Sequence, residues 1–214
     1  GAEAYDDWVT GDLAFDSPEV RRAFDILGEI WLDEEMVLGG TDNILTMPYG
    51  DAHTPLLNDP PDAMMMRQAS FIPSFFPDEI EIGEEIDFFY LPPIDEEHGE
   101  PVLMAGDIVG VFEDRPEVRE VVEFMLTPES TRAQVEAGNF IAAHKDAPLD
   151  WYPTDADARM AEILRDADVV RFDASDMMPA SVGTGSFWSG MVDYVGGESL
   201  DSVVESIDDD WPEE

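Results

Sequence analysis

The chain has 214 residues, enough for one or two domains, and its 44% hydrophobic and 10% aromatic content is too apolar for a disordered acidic tail. A chain of this size buries roughly 70% of the surface that its unfolded form exposes, so a sizeable core is expected. Against 51 aspartates and glutamates stand 10 lysines and arginines, a formal net charge of −41, which excludes nucleic acid and an anionic membrane surface as main partners.

Ser17-Pro18-Glu19 sets a capping hydroxyl before a proline at the first helical position. Val20, Phe24, Leu27, Ile30 and Trp31 then recur at helical spacing to about Leu32. Gly39-Gly40 closes this unit. Residues 41–62 predict a short helix and an irregular loop, because Pro48, Gly50, Pro55, Pro60 and Pro61 interrupt any longer pattern. The apolar run 63–66 has no alternation, which predicts a strand buried on both faces and running into a helical turn near Phe71. Further strands are expected at 87–91, 102–105 and 108–112, the last two separated by Gly106-Asp107. A helix starts at Arg115-Pro116-Glu117 with Val118, Val121, Val122 and Met125 on its apolar face. The next is capped by Thr127-Pro128-Glu129 and ended by Gly138. Helices over 154–168, 185–195 and 199–211 complete the pattern, with no internal repeat or low-complexity stretch. Strands mixed with helices at short spacing give an α/β class.

Lys145 is the only lysine beside nine arginines, and the acid is spread over every segment. That distribution reads as a solvated surface, and more sharply as adaptation to high salt, where short screening lengths relieve self-repulsion. The absence of cysteine excludes disulfides, thiolate metal sites and cysteine nucleophiles. His53, His98 and His144 lie far apart without HExxH or HxxxH spacing, and Asp155-Ala156-Asp157 and Asp208-Asp209-Asp210 lack the EF-hand pattern. No metal and no cofactor is expected. There is no GxSxG, P-loop or GxGxxG, and Gly183-Thr184-Gly185 lacks the third glycine. Among 51 carboxylates some pair always falls at glycosidase spacing, so acid pairs carry no weight for catalysis. Met64-Met65-Met66, Phe75-Phe76 and Phe88-Phe89 read as plain core. No apolar run approaches the roughly 20 residues of a membrane span, so direct membrane insertion of this segment is not expected, and Gly1 opens no signal peptide.

Sugar rings present apolar C–H faces and many hydroxyls, so their sites combine a flat aromatic with bidentate polar partners. Arg67-Gln68, Asp107 and Ser186-Phe187-Trp188 supply those types at element ends. On residue chemistry alone, Trp188 on a helix reads as core.

The run Arg171-Phe172-Asp173-Ala174-Ser175-Asp176-Met177-Met178-Pro179, followed by Val182-Gly183-Thr184-Gly185-Ser186-Phe187-Trp188-Ser189-Gly190-Met191, resembles the C-terminal region of sugar-binding proteins of ABC importers. The resemblance is to the α-glucoside-binding group of the family 1 extracellular solute-binding proteins. Arg67-Gln68-Ala69-Ser70-Phe71, Ala105-Gly106-Asp107-Ile108 with Asp114-Arg115-Pro116-Glu117-Val118, Gly138-Asn139-Phe140-Ile141, and the end at Trp211-Pro212 also fit. It spans nearly the whole chain but only about the second half of a family member.

The resemblance implies a periplasmic-binding-protein-like (type II) α/β fold, mostly the second lobe plus a hinge-crossing piece of the first. Residues 1–105 would be second-lobe strands and helices, 106–148 the hinge and first-lobe helices, and 149–214 the returning second-lobe helices. It implies a sugar or oligosaccharide ligand, ABC permease subunits as partners, and an extracellular or periplasmic protein, a membrane-anchored lipoprotein at full length. By motif position Trp188 would stack on the sugar with Phe187 beside it, Arg67 and Gln68 would face the cleft, and Asp107 would bind hydroxyls at the hinge. A non-catalytic interaction or structural domain that no longer binds sugar is the alternative, and a hydrolase a third reading. A glycan that raises the melting temperature separates the first two, and turnover of a chromogenic glycoside would mark the third.

Overall fold

A computed structural model describes residues 1–138 and 140–212. In chain order it contains α1 (Ala2–Thr10), α2 (Pro18–Trp31), α3 (Gly40–Thr46), β1 (Val102–Met104), α4 (Pro116–Met125), α5 (Pro128–Glu136), α6 (Asp155–Asp166), β2 (Val170–Phe172), α7 (Ala174–Met177), α8 (Phe187–Val195) and α9 (Leu200–Asp209). Single 3-10 turns break up the long loops, and a π-turn, Val182–Ser186, leads into α8. The architecture is mixed α/β with helices dominant.

The helix starts follow local chemistry. Ser17 Oγ accepts the Val20 N–H at 3.4 Å, Thr154 Oγ1 accepts that of Asp157 at 3.1 Å, and Ser199 Oγ accepts that of Ser202 at 3.2 Å. Each such cap stabilises its helix by about 0.5–2 kcal/mol. Gly138 ends α5 at φ 83°, a left-handed value that favours glycine. Thr127 precedes Pro128 at the start of α5 but makes no side-chain cap. The sequence reading has no counterpart of α1, β2 or α7.

The strands depart most from expectation. Residues 63–66 form no strand, and Met64 and Met65 stand largely in solvent, so they are not core. Residues 87–91 and 108–112 are likewise irregular. An apolar run becomes a buried strand only where neighbours offer backbone partners on both sides. Among the described residues the sheet has two strands, β1 and β2, and its lead-in bond runs from Val102 N–H to Val169 O at 2.9 Å. Phe75 and Phe89 are exposed as well, whereas Phe88 lies under the Arg159 guanidinium, 4.6 Å from its ring centre.

The chain divides into two units, residues 1–65 with 171–214, and residues 66–170. In the first, Phe15, Val182, Val204 and Ile207 are fully buried, surrounded by Phe24, Met178, Tyr194 and Val203. The α9 residue Asp208 accepts the backbone N–H groups of Phe15 at 2.7 Å and Asp16 at 2.9 Å, tying the last helix to the entry of α2. Tyr5 donates its hydroxyl to the Phe172 carbonyl at 2.8 Å, and Arg171 grips Asp6 with two bonds of 2.5 and 2.8 Å.

The second unit is thinner. Its core is Val135, Ala142, Ala147, Tyr152 and Ala161, mostly small side chains, with the Tyr152 hydroxyl accepting the Ala142 N–H at 3.1 Å. Arg159 pairs with Asp87 at 2.5 Å and holds the Asp87 carboxyl below its ordinary range by that hydrogen bond. Helix α4 contributes no buried residue, although its stripe is clearly amphipathic. No helix among the described residues is long and apolar enough to cross a membrane.

Candidate functional site

Helix α8 is fixed along most of its length. Phe187 packs edge-on against Trp8 at 5.5 Å and Phe15 at 5.1 Å between ring centres. Gly190 lets α8 lie against α9 so closely that a Cβ there would come within 3.1 Å of Val203 and 2.9 Å of Ile207. Tyr194 meets Phe24 edge to face at 5.2 Å and donates its hydroxyl to the Phe24 carbonyl at 3.0 Å. Burial, and after it the negative charge of Asp25, raises the pKa of that hydroxyl.

Trp188 is the most exposed apolar side chain on this helix, with Val192 a turn later also exposed. The Trp188 side chain is 70% exposed although both neighbouring turns are anchored. Successive helical residues are about 100° apart, so the anchoring of Phe187 inward turns Trp188 outward. Ser189 beside it folds its hydroxyl back onto the Gly185 and Ser186 carbonyls at 3.2 and 3.3 Å, leaving the ring uncrowded on that side. An indole held out on a rigid helix offers an apolar face and an N–H donor to a polyhydroxyl ligand.

The other expected site residues lie in the second unit, whereas Trp188 and Phe187 lie in the first. Arg67 and Gln68 sit in an irregular stretch, both exposed, and Gln68 Oε1 accepts the Ala69 N–H at 3.0 Å. Among the described residues seven of the nine arginines pair with a carboxylate, and Arg22 and Arg67 make no ion pair. The Arg67 side chain is exposed. Asp107 is exposed in the irregular segment between β1 and α4. Among the described residues no hydrogen bond joins Asp107 to Arg67 or Gln68.

Two open hollows lie elsewhere. One of about 340 Å³ is lined by Glu34, Gly39, Gly40, Thr41 and Asp42, and one of about 270 Å³ by Val111, Val118, Arg119, Val122 and Glu123. Among the described residues no group of three or more His, Asp or Glu side chains is placed to hold a metal ion. What the sequence reading missed is the support behind Trp188: the π-turn and the aromatic cluster of Trp8, Phe15 and Phe187. The Gly183-Thr184-Gly185 spacing was the available signal for the turn.

Comparison with known proteins decides the family. The chain is 44% identical over 208 residues to the osmoprotective compounds-binding protein of Synechocystis sp., covering 97% of this chain and 49% of that protein. It is 37% identical over 212 residues to the alpha-glucosides-binding periplasmic protein of Rhizobium meliloti, covering 98% of this chain and 46% of that protein. The chain belongs to this family of solute-binding proteins. No protein-family model and no solved structure matches it. The chain spans about half the length of the curated relatives it matches, and both are named for binding rather than for a reaction. Their kinship implies a periplasmic-binding-protein-like fold for this chain.

Proposed function

We propose that this chain is part of the sugar-binding component of an ABC importer, which holds an α-glucoside or a small oligosaccharide in a cleft between two lobes and delivers it to a permease. The complete protein would work outside the cytoplasmic membrane, in the periplasm or extracellularly and anchored to the membrane, without catalysis of its own. Residues 1–105 and 149–214 would then belong to the second lobe of a type II fold and 106–148 to the hinge and the first lobe. The observation that carries this reading is Trp188, 70% exposed on a helix whose Phe187, Gly190 and Tyr194 are packed, in a chain akin to an alpha-glucosides-binding protein. Arg67, which makes no ion pair among the described residues, supports a polar contact to the ligand, with Gln68 and Asp107 as further hydroxyl partners and Phe187 as the buttress beside Trp188. The Synechocystis relative adds osmoprotective compounds to the ligand class. An acidic surface suits work at high salt, where such compounds are needed.

Thermal melts of the complete protein with sucrose, trehalose and maltose test this. A ligand present at 100 times its Kd stabilises the native state by about 2.7 kcal/mol, so at least one should raise the melting temperature by several degrees. No shift with any of them, together with silent titration calorimetry, would favour a scaffold that no longer binds sugar.

A further inference from the structure

The segment just before α8 makes a turn that an ordinary helix start does not need. The Ser186 N–H reaches back five residues to the Ser181 carbonyl at 2.9 Å, and the backbone leaves helical values at Gly185 (φ −99°, ψ −105°). A kink of this kind interrupts the helical progression, so the direction of α8 is set at the turn and not by a helix running into it. We propose that the turn Val182–Ser186 sets the direction of the Trp188 indole, with Gly183 as its positioning residue. This rests on the reading that Trp188 meets the ligand.

The turn is gripped from both ends. Upstream, the N–H groups of Val182 and Gly183 both reach the Pro179 carbonyl at 2.9 Å, and Val182 is fully buried. Gly183 lies so close to the Ser175 carbonyl that a Cβ would overlap the oxygen. The residue must be glycine for room, because the clashing atom is backbone and cannot swing aside. Downstream, Phe187 joins Trp8 and Phe15 in a trio of mutually packed rings, and Gly190 rests on Val203 and Ile207. With both ends fixed, the kink at Gly185 lies between them. Phe187 then faces the core and Trp188 faces out. Ser186, buried within the turn, adds its hydroxyl to the Ser181 carbonyl at 3.4 Å. A binding ring has to be aimed to within roughly 10–20° by packing of this kind.

The test labels the complete protein with 5-fluorotryptophan and follows the Trp188 fluorine resonance, assigned by its loss in Trp188→Phe. Gly183→Ala forces the turn off the Ser175 carbonyl. Gly185→Ala is milder, its Cβ meeting only the Ala180 carbonyl at 3.3 Å, and it decides the matter if Gly183→Ala does not fold. In both, the Trp188 resonance should move while that of Trp151, in the other unit, stays. Affinity for whichever of sucrose, trehalose and maltose binds most tightly should fall about tenfold, the order that a lost stacking contact implies. A Trp188→Ala control separates the two ideas. Affinity lost in Trp188→Ala, with resonance and affinity unchanged in both glycine variants, would overturn the positioning role alone. Affinity unchanged in Trp188→Ala would sink the ligand reading and the positioning role together.

Discussion

Helices α8 and α4, of nine and ten residues, are both amphipathic and end in opposite situations. One side of α8 packs on Phe15, Phe24, Val203 and Ile207 and leaves Trp188 and Val192 outside, while α4 buries no residue and leaves Val121, Phe124 and Met125 in solvent. Upstream of α4 the same holds for Ile108, Val109 and Val111, and Phe112 is 100% exposed. A hydrophobic stripe says that a helix has a face to hide; it does not say that the partner lies in the same chain. The first unit buries a core of large side chains, whereas α4 and the segment before it present theirs to solvent.

The largest effect that could break this contrast is a pair of phenylalanine truncations. Phe15→Ala should destabilise the first unit by about 3–5 kcal/mol, because a fully buried ring leaves a cavity. Phe112→Ala in this chain should change stability by less than about 0.5 kcal/mol. Denaturant unfolding of both variants measures the difference. A comparable loss in Phe112→Ala would show that its segment is packed after all.

The same contrast governs what could be read from the residues alone. Ser17, Thr154 and Ser199 each announce a helix through a hydroxyl within three residues of the N–H that it caps, so those starts were legible. Gly138 marked an end for the same local reason. The runs around Met64-Met65-Met66, Phe88-Phe89 and Ile108 were not legible, because a strand depends on partners far away in sequence or outside the chain. Helix α1 was missed because its apolar residues, Tyr5, Trp8 and Val9, are few and it is flanked by acid. Of the candidate site, Trp188 could be named from its motif. Its exposure could not, because that follows from Phe187 packing inward onto Trp8 and Phe15.

A smaller effect sharpens the comparison through ionic strength. At −41 formal charge, self-repulsion weakens compact states. The screening length falls from about 30 Å at 0.01 M salt to about 3 Å at 1 M, so the melting temperature should rise with sodium chloride over that range. The thinner second unit should gain more, visible as a first transition that moves toward the second. A melting temperature that is flat or falls with salt would contradict this.

The smallest effect is confined to the first unit. Burial, and after it the negative charge of Asp173, pushes the Tyr5 hydroxyl from 10.0 up to about 12. The folded state therefore favours the neutral phenol. Its contribution is fully present below pH 10 and is lost as the pH rises toward 12. Tyr5→Phe should be less stable than the parent below pH 10 and should lose less between pH 10 and 12. Parallel alkaline unfolding curves for the two proteins would count against the Tyr5–Phe172 link.

The most direct measurement is titration calorimetry of Trp188→Ala in the complete protein, paired with its thermal melt. With the indole exposed on an anchored helix, stability should stay within about 0.5 kcal/mol of the parent. Sugar affinity should fall by roughly 1–2 kcal/mol, the value of an aromatic platform and the area it buries. An unchanged affinity together with a stability loss of about 3–5 kcal/mol would show that Trp188 serves the core and not a ligand.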